Sequence, residues 1–124
     1  MRRVIGLGGV FFKAKAPEAL AAWYETHLGV LRDSPHSAMF KNAGDQTGLT
    51  VWAAFPADTS YFGPGPASFM LNYRVEDLDA LLKLLAAEGV WIDPKREEYE
   101  YGKFAWIADP EGNRIELWEP NGKV

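Results

Sequence analysis

Apolar and polar positions along the chain switch between two periods, one of a strand and one of a helix. Gly8 to Ala14, with Val10, Phe11 and Phe12, reads as a strand ending near Lys13. Ala16-Pro17-Glu18 then opens a helix, since proline suits a first turn where its missing N–H has no partner. Ala19, Leu20, Trp23, Tyr24 and Leu28 recur at helical spacing, and Gly29 stops the run. Short apolar stretches near Val30–Arg32, Ala38–Lys41 and Leu49–Phe55 predict three strands. They are broken by Asp33-Ser34-Pro35 and Asn42-Ala43-Gly44-Asp45. Tyr61-Phe62-Gly63-Pro64-Gly65-Pro66 reads as a linker.

After the linker the pattern starts again. Ser68 to Val75 alternates like a half-buried strand, and Asp77 suits the N-cap of a helix over 78–88. Leu81, Leu82 and Leu85 form its apolar face, and Gly89 ends it. Trp91-Ile92, Phe104–Ala108 and Arg114–Glu119 read as strands, the last two joined by the turn Asp109-Pro110-Glu111-Gly112-Asn113. The two halves align: Ala19-Leu20 with Ala80-Leu81, Gly29-Val30 with Gly89-Val90, and Leu49-Thr50-Val51-Trp52 with Ile115-Glu116-Leu117-Trp118. The fold class is therefore α+β, with two βαβββ modules forming a curved mixed sheet around a cleft. The organisation is one domain over 1–124: module one to about 62, a linker over 61–67, and module two over 68–124.

Composition narrows the function. Of 124 residues, 48% are hydrophobic and 24% charged, as in an ordinary globular chain. There is no cysteine, which excludes a disulfide scaffold, a zinc–thiolate site and a thiol nucleophile, and fits a cytoplasmic setting. The stretch after Met1 lacks the form of a signal peptide, and no segment has the length of a membrane span. A net charge of −4 without a basic stripe argues against nucleic acid and leaves a neutral or cationic small molecule as the expected partner. The five Trp exceed what a minimal core needs.

Three segments resemble the glyoxalase/bleomycin-resistance (vicinal oxygen chelate) superfamily. They are Lys15-Ala16-Pro17-Glu18-Ala19-Leu20 with Trp23-Tyr24 and Leu28-Gly29; Tyr73 to Ala80 with Glu88-Gly89-Val90; and Asp109-Pro110-Glu111-Gly112-Asn113-Arg114-Ile115-Glu116-Leu117. The resemblance implies paired modules around a cleft, often in a homodimer whose clefts draw on both chains. Its metal-dependent members, among them glyoxalases and extradiol dioxygenases, hold a divalent ion with His, Glu or Gln on the first and last strands of each module. Aligned here, those positions are Gly9, Thr50, Met70 and Glu116, of which only Glu116 suits a hard cation. No metal or other cofactor is expected.

The candidate ligand-binding residues are Phe11, Thr50, Trp52, Met70, Asn72, Arg74, Trp106, Glu116 and Trp118. Glu116 either faces the cleft, where desolvation raises its pKa and suits it to a base, or pairs with Arg74 or Arg114 and holds the sheet. Asn72 and Arg74 share a face with Met70, offering amide hydrogen bonds and a binder for carboxylate or phosphate, although Arg74 can equally pair with Glu76. Trp52, Trp106 and Trp118 either stack on a flat or cationic ligand or fill the core. Trp23 and Trp91 are assigned to helix–sheet packing. Residues 96–103 are expected to form a polar loop over the cleft mouth, with Tyr99 and Tyr101 as hydrogen-bond donors. His27 and His36 are read as structural or exposed. Two functions follow: a metal-independent small-molecule binder, or an enzyme acting on a carbonyl-containing or aromatic compound with Glu116 as catalytic base.

Overall fold

The computed structural model describes residues 3–41 and 49–121. The elements are β1 (Val4–Ala14), α1 (Pro17–Leu28), β2 (Arg32–Ser34), β3 (Ser37–Lys41), β4 (Leu49–Pro56), β5 (Phe69–Val75), α2 (Leu78–Ala87), β6 (Ile92–Tyr99), β7 (Gly102–Ala108) and β8 (Arg114–Glu119). The strand–helix–three-strand order occurs twice, as the sequence repeat predicts. The turn expected at Asn42–Asp45 lies outside the described residues.

Among the described residues, eight strands join in one curved sheet in the order β2-β3-β4-β1-β5-β8-β7-β6. Each module pairs its first and last strands in parallel, β1 with β4 and β5 with β8. The modules meet where β1 runs antiparallel to β5, from Val4↔Val75 to Phe12↔Phe69. Both halves of the sheet thus belong to the same chain.

The helices cover one face of the sheet. Asp77 caps α2 by accepting the Ala80 N–H at 3.1 Å. Leu78 and Leu81 are buried from α2 against Val75, Ala105 and Leu117. On α1, Ala21 is buried, and Tyr24 meets Trp52 at a ring separation of 4.8 Å. Trp23 and Trp91 are not packed between helix and sheet as expected. They are 51% and 53% exposed, and Trp23 lies against His27 along the helix, ring centroids 4.9 Å apart and tilted by 40°. On the other face of the sheet, Phe11, Ala53, Phe62, Met70, Phe104, Trp106 and Trp118 form a second core cluster.

The expected loop over 96–103 is instead a hairpin. β6 runs to Tyr99 and pairs with β7 through Glu97↔Phe104 and Tyr99↔Gly102. Pro94 and the charged run around it suit an edge strand, where one side needs no ladder donor and charge discourages further pairing.

Candidate functional site

A row of residues crosses the middle of the sheet in direct register: Met39, Val51, Gly9, Asn72, Glu116 and Trp106. Residues paired across strands share a face, so this row lies on the side away from the helices. A cavity of about 480 Å³ opens above it. Both modules line it, with Phe11, Val51 and Phe55 on one side and Phe104, Glu116 and Trp118 on the other.

Glu116 lies at the cavity floor and is 1% exposed. Its Oε2 accepts from Asn72 Nδ2 at 2.5 Å. Its Oε1 accepts from Trp106 Nε1 at 3.1 Å and from the Tyr61 hydroxyl. Burial pushes the Glu116 carboxyl above its ordinary range, the three donors pull it back, and the nearby Glu97 charge adds to the rise. Burial, followed by the Glu116 charge and hydrogen bond, pushes the Tyr61 hydroxyl far above a free phenol. Gly8 makes room for this arrangement, because a Cβ there would collide with Asn72 Oδ1. That Oδ1 is buried without a hydrogen-bond partner.

The walls are aromatic. Phe55 stacks on Tyr61 at 5.3 Å and 9°, and Phe104 on Trp118 at 5.9 Å and 5°. Trp118 is held by its indole N–H, which donates to the Tyr101 carbonyl at 2.8 Å. Tyr99 and Tyr101 reach the cavity from the β6–β7 hairpin, and Glu97 beside them accepts from the Tyr99 hydroxyl at 2.7 Å. That bond holds the Glu97 carboxyl below its usual range.

Of the candidate residues, Phe11, Asn72, Glu116 and Trp118 line the cavity. Met70 and Trp106 are fully buried in the cluster beneath it. Arg74 is buried further along β5, where it donates to the carbonyls of Leu7 and Leu49. It does not pair with Glu116, and Arg114 is held by Asp93 at 2.8 Å. Thr50 and Trp52 do not face the cleft. Leu49, Val51, Ala53 and Phe55 line the cavity, so alternation turns Thr50 and Trp52 toward the helix face. There Thr50 donates to the Leu7 carbonyl at 3.1 Å, and Trp52 packs edge-on against Phe12 at 5.1 Å. Sequence reasoning missed Tyr61, read as linker, along with Phe55 and Met39. The one available signal for the linker was a pair of large aromatics, Tyr61-Phe62, within an otherwise turn-forming segment.

The positions aligned with the metal ligands of the metal-dependent members are corrected by the register. The central row presents Gly9, Val51, Asn72 and Glu116, whereas Met70 stands opposite Phe11 and Thr50 lies on the other face. A carboxylate already taking three hydrogen bonds, beside one amide, does not fit a tightly held divalent ion. Among the described residues no group of three or more His, Cys, Asp or Glu is placed to hold one. Among them, too, no helix is long and apolar enough to cross a membrane.

Paired βαβββ modules enclosing a cleft on the sheet face opposite their helices define a two-module class of α+β protein. The family model for the Glyoxalase/Bleomycin resistance protein/Dioxygenase superfamily matches residues 10–117, and the chain belongs to that superfamily. Among solved structures, it is similar to a methylmalonyl-CoA epimerase from Mycobacterium tuberculosis. The two share 25% identity over 99% of this chain and 93% of that one, with a TM-score of 0.66. A Streptomyces coelicolor methylmalonyl-CoA epimerase in complex with 2-nitronate-propionyl-CoA shares 13% identity, covering 95% and 99%, at a TM-score of 0.71. A Legionella pneumophila structure described as an NAD-dependent benzaldehyde dehydrogenase shares 18%, covering 91% and 98%, at 0.60. The last two bear on the fold alone. No curated protein matches the chain by sequence.

Proposed function

We propose that this chain binds a small, largely flat molecule in the cavity between its modules, using its own side chains without a metal ion. The observation that carries the reading is an aromatic cavity of about 480 Å³ with a buried, triply hydrogen-bonded carboxylate at its floor. Such a volume suits a ligand of small-molecule size, with apolar walls for affinity and a few fixed polar groups for orientation. Trp118 in the wall and Trp106 beneath the floor make intrinsic fluorescence a direct reporter. Titration with a panel of aromatic metabolites is expected to quench that emission and raise the melting temperature for at least one compound class. A panel that changes neither removes the reading.

A second reading has one specific support, the raised proton affinity of Glu116. A buried carboxylate tuned upward suits a base that takes a proton next to a carbonyl, with the negative charge left on the substrate as an enolate. A likeness to methylmalonyl-CoA epimerases fits this chemistry. Incubation in D2O with α-branched acyl thioesters separates the two readings. Deuterium entering the α position, and failing to enter with Glu116→Gln, favours the enzyme.

A further inference from the structure

We infer that the ligand is a cation, a small aromatic molecule carrying a protonated or quaternary amine. This rests on the binding reading above and adds a charge to it. Among the described lining residues there are two carboxylates, Glu116 and Glu97, and no Lys or Arg. Seven Phe, Tyr and Trp side chains share that lining, among them Tyr61, Tyr99, Tyr101, Phe104 and Trp118. Aromatic faces attract cations, and more so when water is excluded. A carboxylate in an apolar cavity is screened far less than one at the surface. A cation above the floor therefore gains from the walls and favours the ionised form of Glu116, whereas an anion meets the negative ring faces and adds to the burial that already favours the protonated form.

A second, independent feature points the same way. Asn72 is 2% exposed, lines the cavity, and has its Oδ1 without a hydrogen-bond partner. Its Nδ2 spends one N–H on Glu116, and Oδ1 is the acceptor left unfilled. The buried end of the site thus combines a carboxylate with an unfilled acceptor, which complements N–H donors.

Among the described residues, three cations near the site already have partners. Lys95 lies 5.1 Å from the Trp106 ring centroid and 5.9 Å from that of Tyr61, and it pairs with Glu97 at 3.2 Å. Arg114 lies 5.5 Å from the Trp106 centroid and pairs with Asp93. Arg74 donates to backbone carbonyls. The Lys95–Glu97 pair is exposed on its lysine side, where an ion pair is weak and exchangeable. His36, the basic residue of the lining, is exposed in the β2–β3 turn.

Three probes of one shape test the inference at neutral pH by isothermal titration: 1-naphthylmethylamine, 1-naphthalenemethanol and 1-naphthoic acid. The amine is expected to bind at least about tenfold tighter than the alcohol, with the acid weakest. Glu116→Gln is expected to reduce the amine-to-alcohol ratio to near one, and Glu97→Gln to reduce it severalfold. If Glu116→Gln does not fold, the Glu97→Gln ratio carries the test, because that side chain lies nearer solvent. An alcohol that binds as tightly as the amine overturns the cation while leaving the binding reading intact. Tightest binding by the acid overturns the cation as well. Binding by none of the three removes both readings.

Discussion

Asn72 and Glu116 stand side by side on the adjacent parallel strands β5 and β8, joined by a 2.5 Å hydrogen bond from the Asn72 amide to Glu116 Oε2. They are the two polar side chains in the row that crosses the sheet beneath the cavity. Removing one partner leaves the other buried without its bond, which costs more than the bond itself contributes. Asn72→Ala is therefore expected to lower the unfolding free energy by about 1–3 kcal/mol. It also takes one donor from the carboxylate and raises the Glu116 pKa further. Urea denaturation and titration of the Glu116 carboxyl carbon by NMR check the two effects.

The pH dependence of stability has a defined sign. The folded chain holds the Glu116 proton more tightly than the unfolded chain does, because burial raises its pKa above the ordinary 4.5. Stability from this group is thus greatest below about pH 4.5 and falls as pH rises through the raised folded value. Glu25, Asp79, Asp93 and Asp109 have lowered values and act oppositely, losing stability as pH falls. The difference between wild type and Glu116→Gln isolates the one group. That difference is expected to move against the wild type as pH rises above 4.5, measured by denaturation across a pH series. A difference that stays flat contradicts the buried carboxyl.

Gly102 fixes the hairpin that carries the aromatic wall. Its φ is +137°, and a Cβ there would stand 2.6 Å from Trp118 Nε1 and also collide with the Glu119 carbonyl. Gly102→Ala combines backbone strain of order 1–3 kcal/mol with displacement of Trp118. The expected result is a lower melting temperature together with a shifted Trp emission maximum. A fully stable variant with unchanged emission runs against this placement of Trp118.

Much of the fold was legible because most elements carry their own local signal. The apolar spacing of the two helices, the stop at Gly29, the Asp77 cap and the Asp109–Asn113 turn all act through near neighbours. In the turn, for example, Asp109 Oδ1 accepts the Glu111 and Asn113 N–H groups at 2.9 Å each. β6 was read mostly as loop because Pro94 and its charged neighbours are compatible with a strand only at a sheet edge, a position that sequence does not specify. The face of β4 was misjudged for a different reason. Leu49 to Ala54 is covered by α1 on one side and by the cavity cluster on the other, so both phases of the alternation carry apolar residues. Trp52 was consequently placed on the wrong side. Tyr61 reaches Glu116 across 55 residues of chain, and only the closed sheet brings the two together.

In the proposed function a ligand sits on Asn72 and Glu116 in the cavity and needs no metal ion to do so. The most direct measurement is a ¹H–¹⁵N NMR titration with 1-naphthalenemethanol in excess EDTA, following the Asn72 side-chain amide and the Trp indole N–H signals. Shifts are expected at Asn72, Trp106 and Trp118, with Trp23, Trp52 and Trp91 unmoved. Shifts confined to Trp23 and Trp52, or shifts that begin only when a divalent ion replaces the EDTA, would contradict it.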